Sequence, residues 1–496
     1  MQQEIIKKKR EIIEIFLKNG ILISSDLLNK IQDYQQASRI FEKVRNQKID
    51  GILLSDLDIN KTIEETTKPE EPHQKQNNVV KVVYSYKEEP KKRECQDFVD
   101  HFNNRYRALE KILKQRQELK NTVSINKLVA KADKEPVSII GIVNDKQVTK
   151  NGNLLLVLED PTGQKKVLVN KNKPSLYNEA KDISLDEVIG VVGVNVDTLV
   201  FVNNILWPDI PTNNELKKSE EGGYALFLSD LHVGSSKFLP DDFEKFLKWI
   251  NGEMGNEQQR NIAKDVKYIF IAGDLVDGCG IYPEQDKELI IKDIYDQYKE
   301  CANLLKQIPS GITLIICPGN HDAIRLAEPQ PPLHKDFAKP LYDLNNIVMV
   351  SNPALININS SENFAGFDVL MYHGYSFDYF VANIDSLRNQ GGYDRADLIM
   401  KFLLKRRHLA TSHLSSLYVP DSKKDHLVID KVPDFFLSGH IHKTATANYR
   451  NTTLICGSCW QSKTLFQEKV GHNPEPSRVP IVNLRTREVK ILKFGQ

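Results

Sequence analysis

The chain of 496 residues is too long for one compact core, and its length predicts about three domains of ordinary size. Lysine and arginine number 67 against 66 aspartates and glutamates, and the resulting net charge of +1 excludes a globally basic nucleic-acid binder, so any such contact must be local. No apolar run approaches the roughly 20 residues of a membrane span, and the N-terminus lacks the apolar segment and cleavage site of a secretory signal, which sets the expectation of a soluble, intracellular protein without membrane contact.

The first elements are helical. Ile5, Ile6, Ile12, Ile13, Phe16 and Leu17 recur as an apolar stripe between lysines and glutamates, and Gly20 follows as a stop. Ser25 can cap a second helix with Leu27, Leu28, Ile31 and Tyr34 on its apolar face, and Ala37, Ile40, Phe41 and Val44 predict a third. Residues 1–55 are therefore expected to be a small helical module. Residues 56–123 form a linker: from Asn60 to Asn78 the chain is polar, charged and too poor in apolar residues for a core, and a charged helical stretch follows from Phe98 to Leu119. Short β-branched runs then succeed one another at Val137–Val143, Leu154–Leu158, Lys166–Val169, Glu187–Gly193 and Leu199–Val202, separated by turns such as Asn151-Gly152. They predict an OB-fold β-barrel over residues 124–210. Strand-like and helical runs alternate after Pro211 and predict an α/β domain, a layered β-sandwich flanked by helices, over residues 211–496.

Six cysteines are too few for a disulfide framework. Cys456 and Cys459 have the spacing of a redox motif or of half a zinc site, but no second ligand pair accompanies them, and Leu454-Ile455 before them favours a strand ending in a glycine turn.

Potential ligands fall directly after apolar strand-like runs, where α/β folds place chemistry. Ala225–Ser229 delivers Asp230 and His232, Tyr268–Gly273 delivers Asp274, and Leu314–Gly319 delivers Asn320, His321 and Asp322. Val369–Tyr372 delivers His373, and Phe435–Gly439 delivers His440 and His442. Carboxylate, imidazole and amide oxygens without thiolates suit borderline divalent ions such as manganese, iron or zinc. One aspartate bridging two ions would hold them about 3.5 to 4 Å apart, where both clamp a phosphate and one activates a water.

In this order the fragments resemble the signature of the calcineurin-like metallophosphoesterase superfamily. That resemblance implies Asp230, His232 and His442 around one metal, Asn320, His373 and His440 around the other, Asp274 as the bridge, and two divalent ions, manganese with iron or zinc as alternatives. It also implies that His321, oriented by Asp322, is the catalytic acid or transition-state stabiliser. Longer strings are similar to the small subunits of archaeal family D DNA polymerases: Leu228-Ser-Asp-Leu-His-Val-Gly-Ser235, Pro318-Gly-Asn-His-Asp-Ala-Ile-Arg325, Glu328-Pro-Gln-Pro331, Trp460-Gln461, Phe466-Gln467 and Val479-Pro480. This second resemblance, over about residues 124–496, implies 3′–5′ exonuclease proofreading on DNA with a 3′ end. It further implies a large polymerising subunit as partner, a link to the sliding clamp through the holoenzyme, and a place in the prokaryotic cytoplasm at the nucleoid. The alternatives are a noncatalytic assembly subunit with a vestigial site and a phosphomonoesterase. The protein phosphatases of the superfamily follow Gly-Asp with Asp-Arg-Gly, whereas this chain reads Gly273-Asp-Leu-Val-Asp-Gly278.

Secondary candidates are Arg325, as a substrate-phosphate contact, and the cluster Lys401, Lys405, Arg406 and Arg407, as either a solvated helix face or a DNA-backbone contact. Tyr375, Phe377, Tyr379 and Phe380 follow His373 and divide between core packing and stacking on a frayed 3′ end.

Overall fold

The computed structural model describes residues 79–495 except 89 and 131–133, together with positions 13, 17, 22, 23, 53 and 54. Most of the N-terminal module and of the polar stretch after it lies outside the described residues; within it, Leu22–Ile23 pairs in parallel with Leu53–Leu54. The part from Asn77 onward is described below.

Five strands, Pro136–Val148, Leu154–Asp160, Gly163–Val169, Val188–Val196 and Leu199–Leu206, close into a barrel. The helix Pro174–Lys181 links the third strand to the fourth, an arrangement that fits an OB-like fold. Leu154, Leu156 and Leu158 point inward with Val167, Val169, Ile189 and Val191 to fill it. At Gly193 the fourth and fifth strands crowd so closely that a Cβ would lie 2.3 Å from the Phe201 carbonyl oxygen, which is why a glycine stands there.

Two six-stranded sheets make the larger body. In the first, Tyr224–Leu228, Val266–Ala272, Thr313–Cys317 and Ile347–Met349 run parallel, and the antiparallel pair Arg478–Asn483 and Val489–Lys493 completes one side. The second has the order Ala445–Tyr449, Thr452–Cys456, Phe435–Ser438, Phe367–Met371, Ala354–Ile358, Val80–Ser85. Both faces of the central strands are buried, which explains their uninterrupted apolar runs. Phe227, Phe270 and Ile315 of the first sheet meet Ile356, Phe367, Val369, Phe435 and Leu437 of the second; each phenylalanine buried this way contributes about 1.5 to 3 kcal/mol. The opposite face of the first sheet, Leu226, Leu228, Ile269 and Ile271, packs on helices Pro240–Ile250 and Ile294–Leu305. The outer face of the second, Leu370, Phe436 and Leu454, packs on Phe377–Asn383 and Ala396–Arg406. The result is a sandwich of two sheets between helical layers.

One strand departs from expectation. Val80–Ser85 lies within the stretch expected to be linker, yet it pairs antiparallel with Ala354–Ile358. The helix that follows spans Cys95–Leu113 and buries Tyr106, Leu109 and Leu113 against the barrel residues Ile140, Ile142 and Val188. No helix among the described residues is long and apolar enough to cross a membrane.

The basic cluster joins barrel to sandwich. Arg406 is buried and its Nε lies 2.5 Å from Glu187, which also accepts from Ser184 and from the Trp207 indole. Lys405 sits 3.9 Å over the Trp207 ring, Lys401 sits 5.3 Å over Tyr449, and Arg407 donates to the carbonyls of Ile429 and Asp430. Arg406 and Arg407 are therefore packed inside, neither on a solvated face nor on a DNA-binding one.

Candidate metal centre

Parallel strands that start on one edge of a sheet end on the opposite edge together, so the turns after them share a rim. Asp230, His232, Asp274, Asn320, His373, His440 and His442 all come from such turns. Asp230, His232, Asp274 and His373 are 1% exposed or less, and His442 is 6% exposed.

The local backbone is unusual. Asp230, His232 and Asp274 hold φ of 52°, His442 54° and His440 72°, a left-handed conformation that side-chain-bearing residues avoid. Tertiary hydrogen bonds impose it: the Asp230 amide donates to the Gly273 carbonyl, the His232 amide to the Asp274 carbonyl, and the His440 amide to the Asp230 carboxylate. Glycines leave room for the ligands. A Cβ on Gly319 would lie 2.2 Å from Asp274 Oδ1, and one on Gly439 would lie 2.5 Å from Asp230 Oδ2.

The donor atoms converge as a cation would require. His373 Nδ1 is 2.7 Å from the Ala272 carbonyl, so that nitrogen carries the proton. Its Nε2 then turns a lone pair towards Asn320 Oδ1 at 2.9 Å and Asp274 Oδ2 at 3.3 Å. Three acceptors so placed repel one another unless a positive charge sits among them. Nearby, His232 Nε2 and His442 Nε2 are 3.0 Å apart, with Asp230 Oδ1 at 4.0 and 3.5 Å. Three groups of potential ligand atoms lie close enough to hold an ion: Asp230, His232 and His442; Asp230, Asp274 and His373; and His232, Asp274 and His321. The titration behaviour agrees. Burial by itself would raise Asp274, but the neighbouring His373 and His321 hold its carboxyl well below the usual range. Burial opposes a charge on His373, yet Asp274 pushes that imidazole up to about 10. Without a metal, protons supply the cation that the carboxylates demand. The residues present therefore fit a divalent metal centre.

Further side chains hold the expected ligands in place. His232 Nδ1 lies 3.1 Å from Asp277 Oδ1, Gln467 Nε2 meets His442 Nδ1 at 2.8 Å, and His440 Nε2 lies 3.0 Å from Asp378 Oδ2. Gln461 holds Asp277 in turn, at 2.8 Å. Asp277 was within reach of sequence reasoning, since it follows Asp274 on the same turn; Asp378 stands five residues after His373 and Gln467 in the Phe466-Gln467 string, but neither position tells which way the side chain turns.

Two expectations need correcting. Asp322 does not orient His321. Its carboxylate turns beneath the loop, where Oδ2 accepts from the Gly319 and Leu275 amides and Oδ1 from the Tyr298 hydroxyl. Burial, then the charge of Asp274, raises it to about 7. The His321 ring is held instead by the Asp277 carbonyl, 2.8 Å from Nδ1. Arg325 is likewise committed elsewhere: it pairs with Glu88, donates to the carbonyls of Ala327 and Pro329, and covers the Tyr86 ring. Among the aromatic residues after His373, Phe377 and Phe380 are core, and Tyr375 reaches the site with its ring 5.8 Å from His440. Cys456 and Cys459 are buried free thiols, Cys456 ending the strand Thr452–Cys456.

Residues 224–444 match the calcineurin-like phosphoesterase family. Over 402 residues the chain is 41% identical to the DNA polymerase II small subunit of Methanothermobacter thermautotrophicus, a match covering 81% of this chain and 80% of that protein. The DNA polymerase II small subunit of Archaeoglobus fulgidus is 35% identical over 492 residues, 97% of this chain and 94% of that one. The chain belongs to the DNA polymerase II small subunit family. To the Pyrococcus furiosus small subunit it is 40% identical over 397 residues, and it spans just 63% of that longer relative. The resemblance carried by the strings around the ligands is thereby borne out. A small subunit of this family holds a phosphoesterase domain of a hydrolase superfamily that binds divalent metals.

Proposed function

We propose that this chain is the 3′–5′ exonuclease subunit of a two-subunit archaeal replicative DNA polymerase, removing mispaired 3′ nucleotides and also scaffolding the large polymerising subunit. The supporting observation is the convergence of acceptors from five separate turns, three of which hold side-chain-bearing residues in the left-handed region at about 1 kcal/mol or more per strained residue, a cost that a pure scaffold has no need to keep. Asp230, His232 and His442 would hold one ion and Asn320, His373 and His440 the other, with Asp274 shared. Two divalent ions, manganese by preference and iron or zinc as alternatives, would neutralise the scissile phosphate and acidify the attacking water.

The protein's own groups do the rest. His321 is anchored by its Nδ1–H on the Asp277 carbonyl, so that in its doubly protonated form the other ring nitrogen can pass its proton to the departing 3′ oxygen, leaving the neutral ring to be reprotonated from solvent. Water adds to phosphorus, the bond to that oxygen breaks, and the products are a 5′-mononucleotide and a strand one residue shorter. Asp322 has a supporting role, fixing the turn that carries Asn320 and His321.

The test is a labelled primer with a 3′ mismatch, incubated with the purified chain and manganese, with and without the polymerising subunit. Loss of the terminal nucleotide is expected, and Asp274→Ala should abolish it together with about two bound ions per chain. An intact primer with wild type, equal to that with Asp274→Ala, would leave the assembly role alone.

A further inference from the structure

We infer that the stacked pair Tyr282 and Phe466 is a platform for the unpaired base of the 3′-terminal nucleotide, and so sets the preference for mismatched over matched ends. This deepens the exonuclease reading and rests on it. Both rings line the same cleft as His232, Asp274, Asn320, His321 and His442, a cavity of about 220 Å³. Their centroids are 5.6 Å apart at 26°, too close to admit a base between them, and Phe466 is 46% exposed. An aromatic ring left open beside a metal centre offers a face on which any nucleobase can stack.

The platform is braced against the chemistry. Tyr282 lies 6.3 Å from the His321 ring, and its hydroxyl donates to Glu288 at 3.2 Å, so its polar end is committed. Glu288 is buried and accepts also from the Leu465 amide at 3.2 Å, which ties the loop bearing Tyr282 to the helix Leu465–Val470 bearing Phe466. That helix is closed at its start by reciprocal hydrogen bonds between Thr464 and Gln467. Gln467 reaches on to His442 Nδ1. Ligand, acid and platform therefore form one connected unit.

Tyr375, Asp378 and His472 line the same cleft. A cavity of about 220 Å³ does not hold a base pair together with both of its backbones. A matched 3′ end must unpair before its base reaches Phe466, whereas a mismatched end has largely met that cost already.

The test uses the full chain in chelator, so that binding is seen without hydrolysis, and oligonucleotides ending in 3′ 2-aminopurine, whose fluorescence is quenched on stacking. Wild type should quench the probe on single strands and on 3′-mismatched duplex, and only weakly on matched duplex. Phe466→Ala should lose the quenching and bind single strands about ten-fold more weakly, and Phe466→Trp should restore both. With manganese, Phe466→Ala should lose most of the mismatch preference in cleavage. If Phe466→Ala quenches as wild type does, or wild type and Phe466→Ala cleave DNA with the same mismatch preference, the platform is overturned and the exonuclease stands. If wild type quenches, Phe466→Ala does not, and manganese-loaded protein leaves all DNA intact, the platform stands and the exonuclease reading falls.

Discussion

Asp277 shows how much of the centre depends on residues outside the ligand set. Its carboxylate sits 3.1 Å from His232 Nδ1 while its carbonyl holds His321 Nδ1, so one residue orients a proposed ligand and the proposed acid together. Burial would raise its pKa, but His232 holds it below the usual carboxylate range, and it stays charged at working pH. Asp277→Ala should weaken divalent-metal binding 10- to 100-fold, as read by calorimetry, because an unrestrained imidazole loses both orientation and basicity. The nine residues Asp230, His232, Asp274, Asn320, His321, Asp322, His373, His440 and His442 were all legible in the sequence, because each follows an apolar run directly. Asp378 and Gln467 were not. Asp378 follows His373 by five residues and Gln467 sits in the Phe466-Gln467 string, yet nothing in either stretch shows that these side chains turn onto His440 and His442. Asp322 was legible in place but not in task, since adjacency along the chain does not show which way a side chain turns.

Elements were readable where their pattern is local. The parallel strands announce themselves as apolar runs, and the barrel strands as short β-branched segments between turns. Val80–Ser85 is different: a short run directly after the polar, charged stretch that ends at Asn78, with a partner at Ala354–Ile358 that sequence proximity cannot reveal. The helix Ala396–Arg406 is a second case. Its basic end reads as solvent-facing by composition, but Arg406 is 4% exposed and paired with Glu187, which is 2% exposed. Removing one partner of such a buried pair strands the other charge. Arg406→Ala should therefore cost about 3 to 5 kcal/mol in chemical denaturation, with the loss centred on the seam between barrel and sandwich.

At the scale of the whole molecule, a buried ionic knot makes stability depend on pH. Arg105 of the helix Cys95–Leu113 donates to Asp425, which also lies 2.9 Å from His408 and 3.3 Å from His101. Burial, reinforced by Arg105, pushes His408 from 6.5 down to about 4. Burial would raise Asp425, but Arg105 together with His408 and His101 holds that carboxyl well below its usual range. In both groups the folded pKa is the lower one, so the unfolded chain binds more protons and stability falls as pH falls. For His408 the loss begins near 6.5 and continues to about 4. The melting temperature should drop across that window, and His408→Gln should flatten the slope.

The edge strand Val80–Ser85 has a consequence for how the chain can be divided. It precedes the barrel, while the other eleven strands of the two sheets follow it. The barrel is thus an insertion, entered and left from the same sandwich. A fragment beginning at residue 211 would retain every proposed ligand yet lack one strand, leaving Ala354–Ile358 as a bare edge open to pairing with another chain. A single nick between residues 207 and 223 would behave in the opposite way. The two pieces would stay joined through that strand, and the barrel would keep its station beside the metal centre after the backbone between them was cut.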